Sequence, residues 1–230
     1  MRLILDTANL KDIEYFNTHY PIEGVTTNPT ILSKEGGDAV ALLRQIRTIL
    51  GEDKELHVQV VETQYERILM EARAIVKLLG ENTFVKIPAT DVGIRATKTL
   101  SAEGMGITVT AVLSPTQAMI ASLAGASYVA PYVSRLENLC EDGVGCVAAI
   151  ADVFAYSGTK TRILAASFKT VKEVLDVAAV GCHAATVGSD VMKKMLAHTA
   201  TDTSIADFAK DWERAFGRHT LLELIPNERN

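Results

Sequence analysis

No apolar run in this chain approaches the ~20 residues of a membrane span. Its opening, Met1-Arg2 followed at once by Leu3-Ile4-Leu5 and Asp6, is too short for a signal peptide and reads as a first strand. Cysteine is scarce: Cys140, Cys146 and Cys182 make an odd count with no Cys-x-x-Cys. Reduced thiols in a cytosol are the simplest account, so a cytoplasmic protein is expected. The five histidines (His19, His57, His183, His198, His219) show no metal-ligand spacing, and neither a metal nor a cofactor is expected. Positive charge is not in excess either. A net charge of −5 argues against a nucleic-acid partner, and an anionic substrate would need a local basic spot. No linker or low-complexity stretch interrupts the chain, which predicts one domain.

What the chain does have is 230 residues, 48% of them hydrophobic, and a steady alternation of short apolar strands with amphipathic helical stretches. The predicted strands are Arg2–Leu5, Gly24–Thr26, Leu56–Val60, Thr83–Ile87, Ile107–Thr110, Tyr128–Pro131, Arg162–Ala166 and Ala184–Val187. Thr27–Thr30 reads as a turn, Ile94–Glu103 as a helix stopped by Gly104, and Ser114-Pro115 as a capped helix start. Val191–Leu196 begins a further helix, and Ser204–Phe216 is a last one. Eight strand–helix units suit a chain slightly shorter than the ~250 residues usual for a (β/α)8 TIM barrel. A doubly wound open sheet competes, but its first turn is usually Gly-rich, and Asp6-Thr7-Ala8-Asn9 holds no glycine. The expectation is a single α/β (β/α)8 barrel with an extra C-terminal helix over residues 1–217. Residues 218–230 form a tail to which no role attaches.

One strand carries a lysine. In Thr83-Phe84-Val85-Lys86-Ile87-Pro88, alternation sends Phe84, Lys86 and Pro88 to one face. Such a lysine is either an edge-strand amine in water or a desolvated one. Desolvation lowers its pKa and exposes the neutral amine that a Schiff-base nucleophile needs.

In barrels of this kind the active site lies at the C-terminal strand ends. Those ends carry Asp6, Thr26 with Asn28 just beyond, Gln59, Lys86, Thr110, Tyr132 and Ser167. Parity gives them a common interior with Ile4, His57, Phe84, Ala130 and Ala165. Each alone reads more readily as a residue closing a strand into a loop; together they converge on one mouth around one amine.

Five segments then carry a resemblance. They are Gly24-Val25-Thr26-Thr27-Asn28-Pro29-Thr30, Val85-Lys86-Ile87-Pro88, Thr110-Ala111-Val112, Ala130-Pro131-Tyr132-Val133-Ser134-Arg135 and Ala165-Ala166-Ser167-Phe168-Lys169. They resemble the transaldolase family, and within it the short branch that includes the fructose-6-phosphate aldolases. The likeness runs from Leu3 to about Gly217. It implies that Lys86 forms the Schiff base and that Asp6 is the general acid/base on a substrate hydroxyl. It assigns Gln59, Thr110 and Tyr132 to a proton-shuttling water, and Asn28 and Thr26 to substrate hydroxyls and the lysine. Arg135 and Ser167 would bind the phosphate, with Lys169 a further cation or a solvated one. Transaldolases generally carry glutamate and phenylalanine where this chain has Gln59 and Tyr132, so the resemblance sides with the aldolase. It implies a sugar phosphate and dihydroxyacetone as partners, with cleavage of fructose 6-phosphate as the reaction.

Three other readings remain: a transaldolase, a barrel that only binds a sugar phosphate, and a deoxyribose-phosphate-type aldolase, against which the Asn28 turn argues. Finally, Ile205, Phe208, Ala209, Trp212 and Phe216 form an apolar stripe on a helix that follows a complete barrel. As in the short branch, this predicts a homo-oligomer, a homo-pentamer or homo-decamer.

Overall fold

The computed structural model describes residues 1–225. Its strands are β1 (Arg2–Asp6), β2 (Ile22–Thr26), β3 (Glu55–Gln59), β4 (Thr83–Pro88), β5 (Ile107–Val112), β6 (Tyr128–Pro131), β7 (Arg162–Ala165) and β8 (Ala184–Val187). All pair in parallel in sequence order, and β1 pairs β8, so the sheet closes into a barrel. Continuous apolar strands joined by helices call for parallel pairing buried on both faces, and closure into a barrel supplies it. The barrel belongs to a compact unit spanning Met1–Met192.

The helix outside the barrel begins where a cap permits. Thr90 accepts a hydrogen bond from Gly93 N at 3.1 Å, which starts a helix at Asp91 rather than at Ile94. Gly93 is required there, because a Cβ would lie 2.0 Å from the Pro88 carbonyl oxygen. The expected Thr27–Thr30 turn is in fact the start of a helix, Pro29–Glu35, with Pro29 in its first turn and Asn28 as its cap. A further short helix, Val133–Glu137, follows β6 directly; five residues are too few for periodicity to reveal.

Inside the barrel, Ile4, Tyr128, Leu164 and Ala184 pack together with Phe84 against them. Leu164, not Ala165, therefore points inward on β7, so parity misplaced that strand by one residue. Ser167 still reaches the mouth because its backbone turns left-handed just past the strand (φ 64°).

A second compact unit begins at Lys193. His198 caps a helix that runs Thr199–Phe216, five residues longer at its start than periodicity indicated. Ile205 and Phe208 are mainly exposed, and the Trp212 and Phe216 rings meet at 4.5 Å. Leu221–Glu223 is a single 3-10 turn within the expected tail, of which residues 226–230 lie outside the described residues.

Candidate active site

The strand ends of the barrel open into a cavity of about 540 Å³. Asp6, Asn28, Gln59, Lys86, Tyr132, Arg135, Ser167 and Lys169 all line it; Thr26 and Thr110 lie behind them in the wall. Seven separate strand ends thus converge, β7 through the left-handed turn at Ser167 and not by parity.

Lys86 comes from the middle of β4, with Gln59 its register partner on β3 and Thr108 on β5. It is 5% exposed, and burial lowers its pKa, with the Asp6 charge opposing. Its Nζ donates to the Thr27 carbonyl at 2.8 Å, so the amine is held by a neutral acceptor. Among the described residues, no direct ion pair joins it to Asp6. That separation matters: a contacting carboxylate would hold the amine charged.

Asp6 ends β1 beside Thr26 on β2. Burial raises its pKa, against the lowering effects of Lys86 and of the Thr26 hydroxyl, which donates to Oδ1 at 2.6 Å. A carboxyl tuned upward and half tied down suits proton exchange with a substrate hydroxyl. Thr110 and Tyr132 share a hydroxyl contact of 3.0 Å. The Gln59 side chain bonds to no other described residue, so its amide is open to the cavity. Asn28 spends its Oδ1 on the cap, accepting from Ile31 N at 2.9 Å, which leaves its NH2 group for a ligand.

The phosphate candidates are positioned by the residues around them. Val133 N and Ser134 N donate to the Ala166 and Ser167 carbonyls at 2.9 and 2.8 Å, joining the Arg135 helix to the Ser167 loop. Glu173 clamps the same two segments: it accepts from Ser134 Oγ at 2.6 Å and from Lys169 N and Thr170 N at 2.7 and 2.8 Å. The Arg135 guanidinium lies 5.1 Å from the centroid of the Tyr132 ring, so the phenol and this cation are held together. Lys34 and Asp190 also line the cavity, giving four basic side chains against two carboxylates. That is the local basic spot an acidic protein needs to hold an anion.

Several of these residues escaped the sequence reading. Lys34 sits on the helix that begins where the sequence predicts a turn. Glu173 is the fourth residue of a Thr170-x-x-Glu173 capping box, a pattern visible in the sequence. Thr186 also lines the cavity, from β8, whose last residue, Val187, is apolar. Two non-glycine residues at this mouth adopt positive φ, Ala111 (54°) and Ser167 (64°), and Ala111 lies within a register shift between β5 and β6. Bulges of this kind re-aim side chains next to sites.

Known proteins resemble this chain over nearly its whole length. The family model described as Transaldolase/Fructose-6-phosphate aldolase matches residues 3–221. A probable transaldolase of Clostridium acetobutylicum is 38% identical over 218 residues, 95% of this chain and 100% of that protein. A probable fructose-6-phosphate aldolase of Streptococcus pneumoniae is 38% identical over 213 residues, covering 92% of this chain and 96% of that one. The solved structure described as "Native KDPGal structure" superposes with a TM-score of 0.57 over 82% of both chains at 14% identity, a likeness of fold alone. The chain belongs to the transaldolase/fructose-6-phosphate aldolase family.

Proposed function

We propose that the protein is a class I aldolase that reversibly cleaves fructose 6-phosphate to dihydroxyacetone and glyceraldehyde 3-phosphate. Neutral Lys86 attacks the C2 ketone, and loss of water leaves an iminium that draws electrons from the C3–C4 bond. Asp6 takes the C4 hydroxyl proton as that bond breaks, and the glyceraldehyde 3-phosphate departs from Arg135, Ser167 and Lys169. The enamine left on Lys86 is protonated at C3 from the water beside Gln59, Thr110 and Tyr132. Hydrolysis then frees dihydroxyacetone and the lysine.

The observation that carries the aldolase reading over the transferase is the Thr110–Tyr132 hydroxyl pair at 3.0 Å, in the wall of the Lys86 cavity. A phenol there offers the enamine a proton; without one, the enamine waits for an acceptor aldehyde. The transaldolase reading has its own support in the name of the Clostridium acetobutylicum relative. Fructose 6-phosphate should be cleaved with no acceptor present, and borohydride should trap dihydroxyacetone on Lys86. Tyr132→Phe should slow cleavage by ~10²-fold or more while trapping persists, so that transfer to erythrose 4-phosphate gains on cleavage. An unchanged transfer-to-cleavage ratio would mean that the choice of reaction is made elsewhere and would remove this case for aldolase over transaldolase.

The exposed apolar stripe at Ile205, Phe208 and Phe216 supports a homo-oligomer, a ring of five or a pair of such rings, as the working form. A monomer mass by light scattering at micromolar concentration would remove that part of the proposal.

A further inference from the structure

Thr26 Oγ1 lies 2.6 Å from Asp6 Oδ1 and also 2.6 Å from Thr186 Oγ1. The three residues stand on β2, β1 and β8, and β1 is hydrogen-bonded to both of the others, so the barrel's closure brings them together. A threonine hydroxyl has one proton. When Asp6 is ionised it can only accept, so the Thr26 proton must go to Asp6. The second short contact of Thr26 must then be one that it accepts. Thr26 is fully buried, so water cannot supply that donor, and Thr186, 3% exposed, is the group that does. The chain of donation therefore runs in one direction, from Thr186 to Thr26 to Asp6. It ties Oδ1 and leaves Oδ2, which bonds to no other described residue, for the substrate.

We propose that Thr186 is a positioning residue for the reaction: its hydroxyl, acting through Thr26, orients Asp6 and favours its charged form. This rests on the general acid/base role given to Asp6 above. Hydrogen bonds in series polarise one another, so losing the first donor weakens the second bond, the one that reaches the carboxylate. Around the same cavity stand Lys34, Lys86, Tyr132, Arg135, Lys169 and Asp190, and the Lys86 charge opposes the effect of burial on Asp6. Lys86 lies on β4 and none of these hydroxyls touches it, so a change at Thr186 leaves that charge in place.

The test uses Thr186→Val, which removes the hydroxyl and keeps the shape, beside Thr186→Ser, which keeps the hydroxyl. In the valine variant kcat for fructose 6-phosphate cleavage should fall about 3- to 10-fold, the worth of one neutral hydrogen bond. KM should change less than about twofold, and the acid limb of the pH profile should move to higher pH. Thr186→Ser should restore both. Asp6 is also titrated directly in the resting protein by 13C NMR of labelled aspartate, assigned with Asp6→Asn; it should ionise at higher pH in Thr186→Val. An Asp6 titration that does not move, or a serine variant as impaired as the valine one, would overturn the proposal. If Thr186→Val does not fold, Thr186→Ala against Thr186→Ser reads the same contrast. Should the native protein leave fructose 6-phosphate intact, the aldolase reading falls, yet the NMR titration, which needs no substrate, still decides the role of Thr186.

Discussion

The two ends of the barrel carry similar side chains and treat them in opposite ways. At the closed end, Arg2 donates to Glu55 at 2.8 Å and to the Tyr128 hydroxyl at 2.7 Å, while Tyr128 contacts both Glu55 oxygens at 3.0 Å. His57 contacts Glu55 at 3.3 Å and Thr108 at 2.9 Å, and Arg162 covers the Tyr128 ring at 4.2 Å. Burial alone would push the Glu55 pKa up, but the bonds from His57 and Arg2 hold it down to about 2. At the mouth, Lys86 has one carbonyl partner and Asp6 one hydroxyl, and the Gln59 amide has no partner among the described residues. Polar groups inside a barrel are costly unless bonded. The closed end meets that requirement from within, whereas the mouth leaves it for a substrate to meet.

Substitutions that exchange the two behaviours test the contrast. The largest effect belongs to Lys86→Met, which should abolish cleavage and borohydride trapping while raising the melting temperature. Burial penalises the ammonium, so replacing it should stabilise the fold by ~1–3 kcal/mol. The sign follows from the lowered pKa: the native lysine weakens folding wherever the unfolded lysine is charged, below about 10.4. The gain should be present at neutral pH and shrink as pH rises toward that value. A loss of stability would mean that the bond to Thr27 outweighs desolvation.

Glu55→Ala should do the reverse, with stability falling by about 2–4 kcal/mol because Arg2 and His57 lose their shared partner. Its kcat, measured below the unfolding transition, should stay within a few-fold of the native value. A kcat loss of a hundredfold in folded Glu55→Ala would show that the closed end shapes the chemistry. Next in size, Arg135→Ala should raise KM for fructose 6-phosphate about tenfold, with no such effect on dihydroxyacetone in the reverse reaction.

The smallest effect is acid sensitivity. Glu55 has a folded pKa below its unfolded one, so its contribution is complete above the unfolded value near 4.5 and is lost as pH falls through about 2. The melting temperature of Glu55→Gln should therefore converge on that of the native protein in acid; a gap that stays constant would place the contribution in packing instead.

Much of the mouth was legible because strand parity and strand ends are local properties. Asp6, Gln59 and Lys86 follow from alternation within five or six residues, and the closed barrel follows from the order of the units. What stayed hidden needed contacts between distant segments. Thr26 and Thr186 are 160 residues apart and meet only when β8 closes on β1. The β7 error has a different origin: a strand of four residues carries too little alternation to fix its parity, and a left-handed residue then reset it. The Arg135 helix is short for the same reason that it was missed. Its two buried apolar residues, Val133 and Leu136, are too few to show a period, and the Ala166 and Ser167 carbonyls and Glu173 hold it as well.

The positive φ at Ala111 bears on how this barrel can be altered. A residue with a Cβ resists that conformation by about 1–2 kcal/mol, and a β-branched one resists it more. A library randomised at 111 and selected for cleavage should thus return glycine, asparagine and aspartate, and exclude valine, isoleucine and threonine whatever the substrate offered. Glycine at 111 would relieve this left-handed residue and loosen the cavity wall beside Thr110. Tolerance for bulkier acceptors and resistance to heat would then be open to change through one backbone angle, with no catalytic side chain replaced.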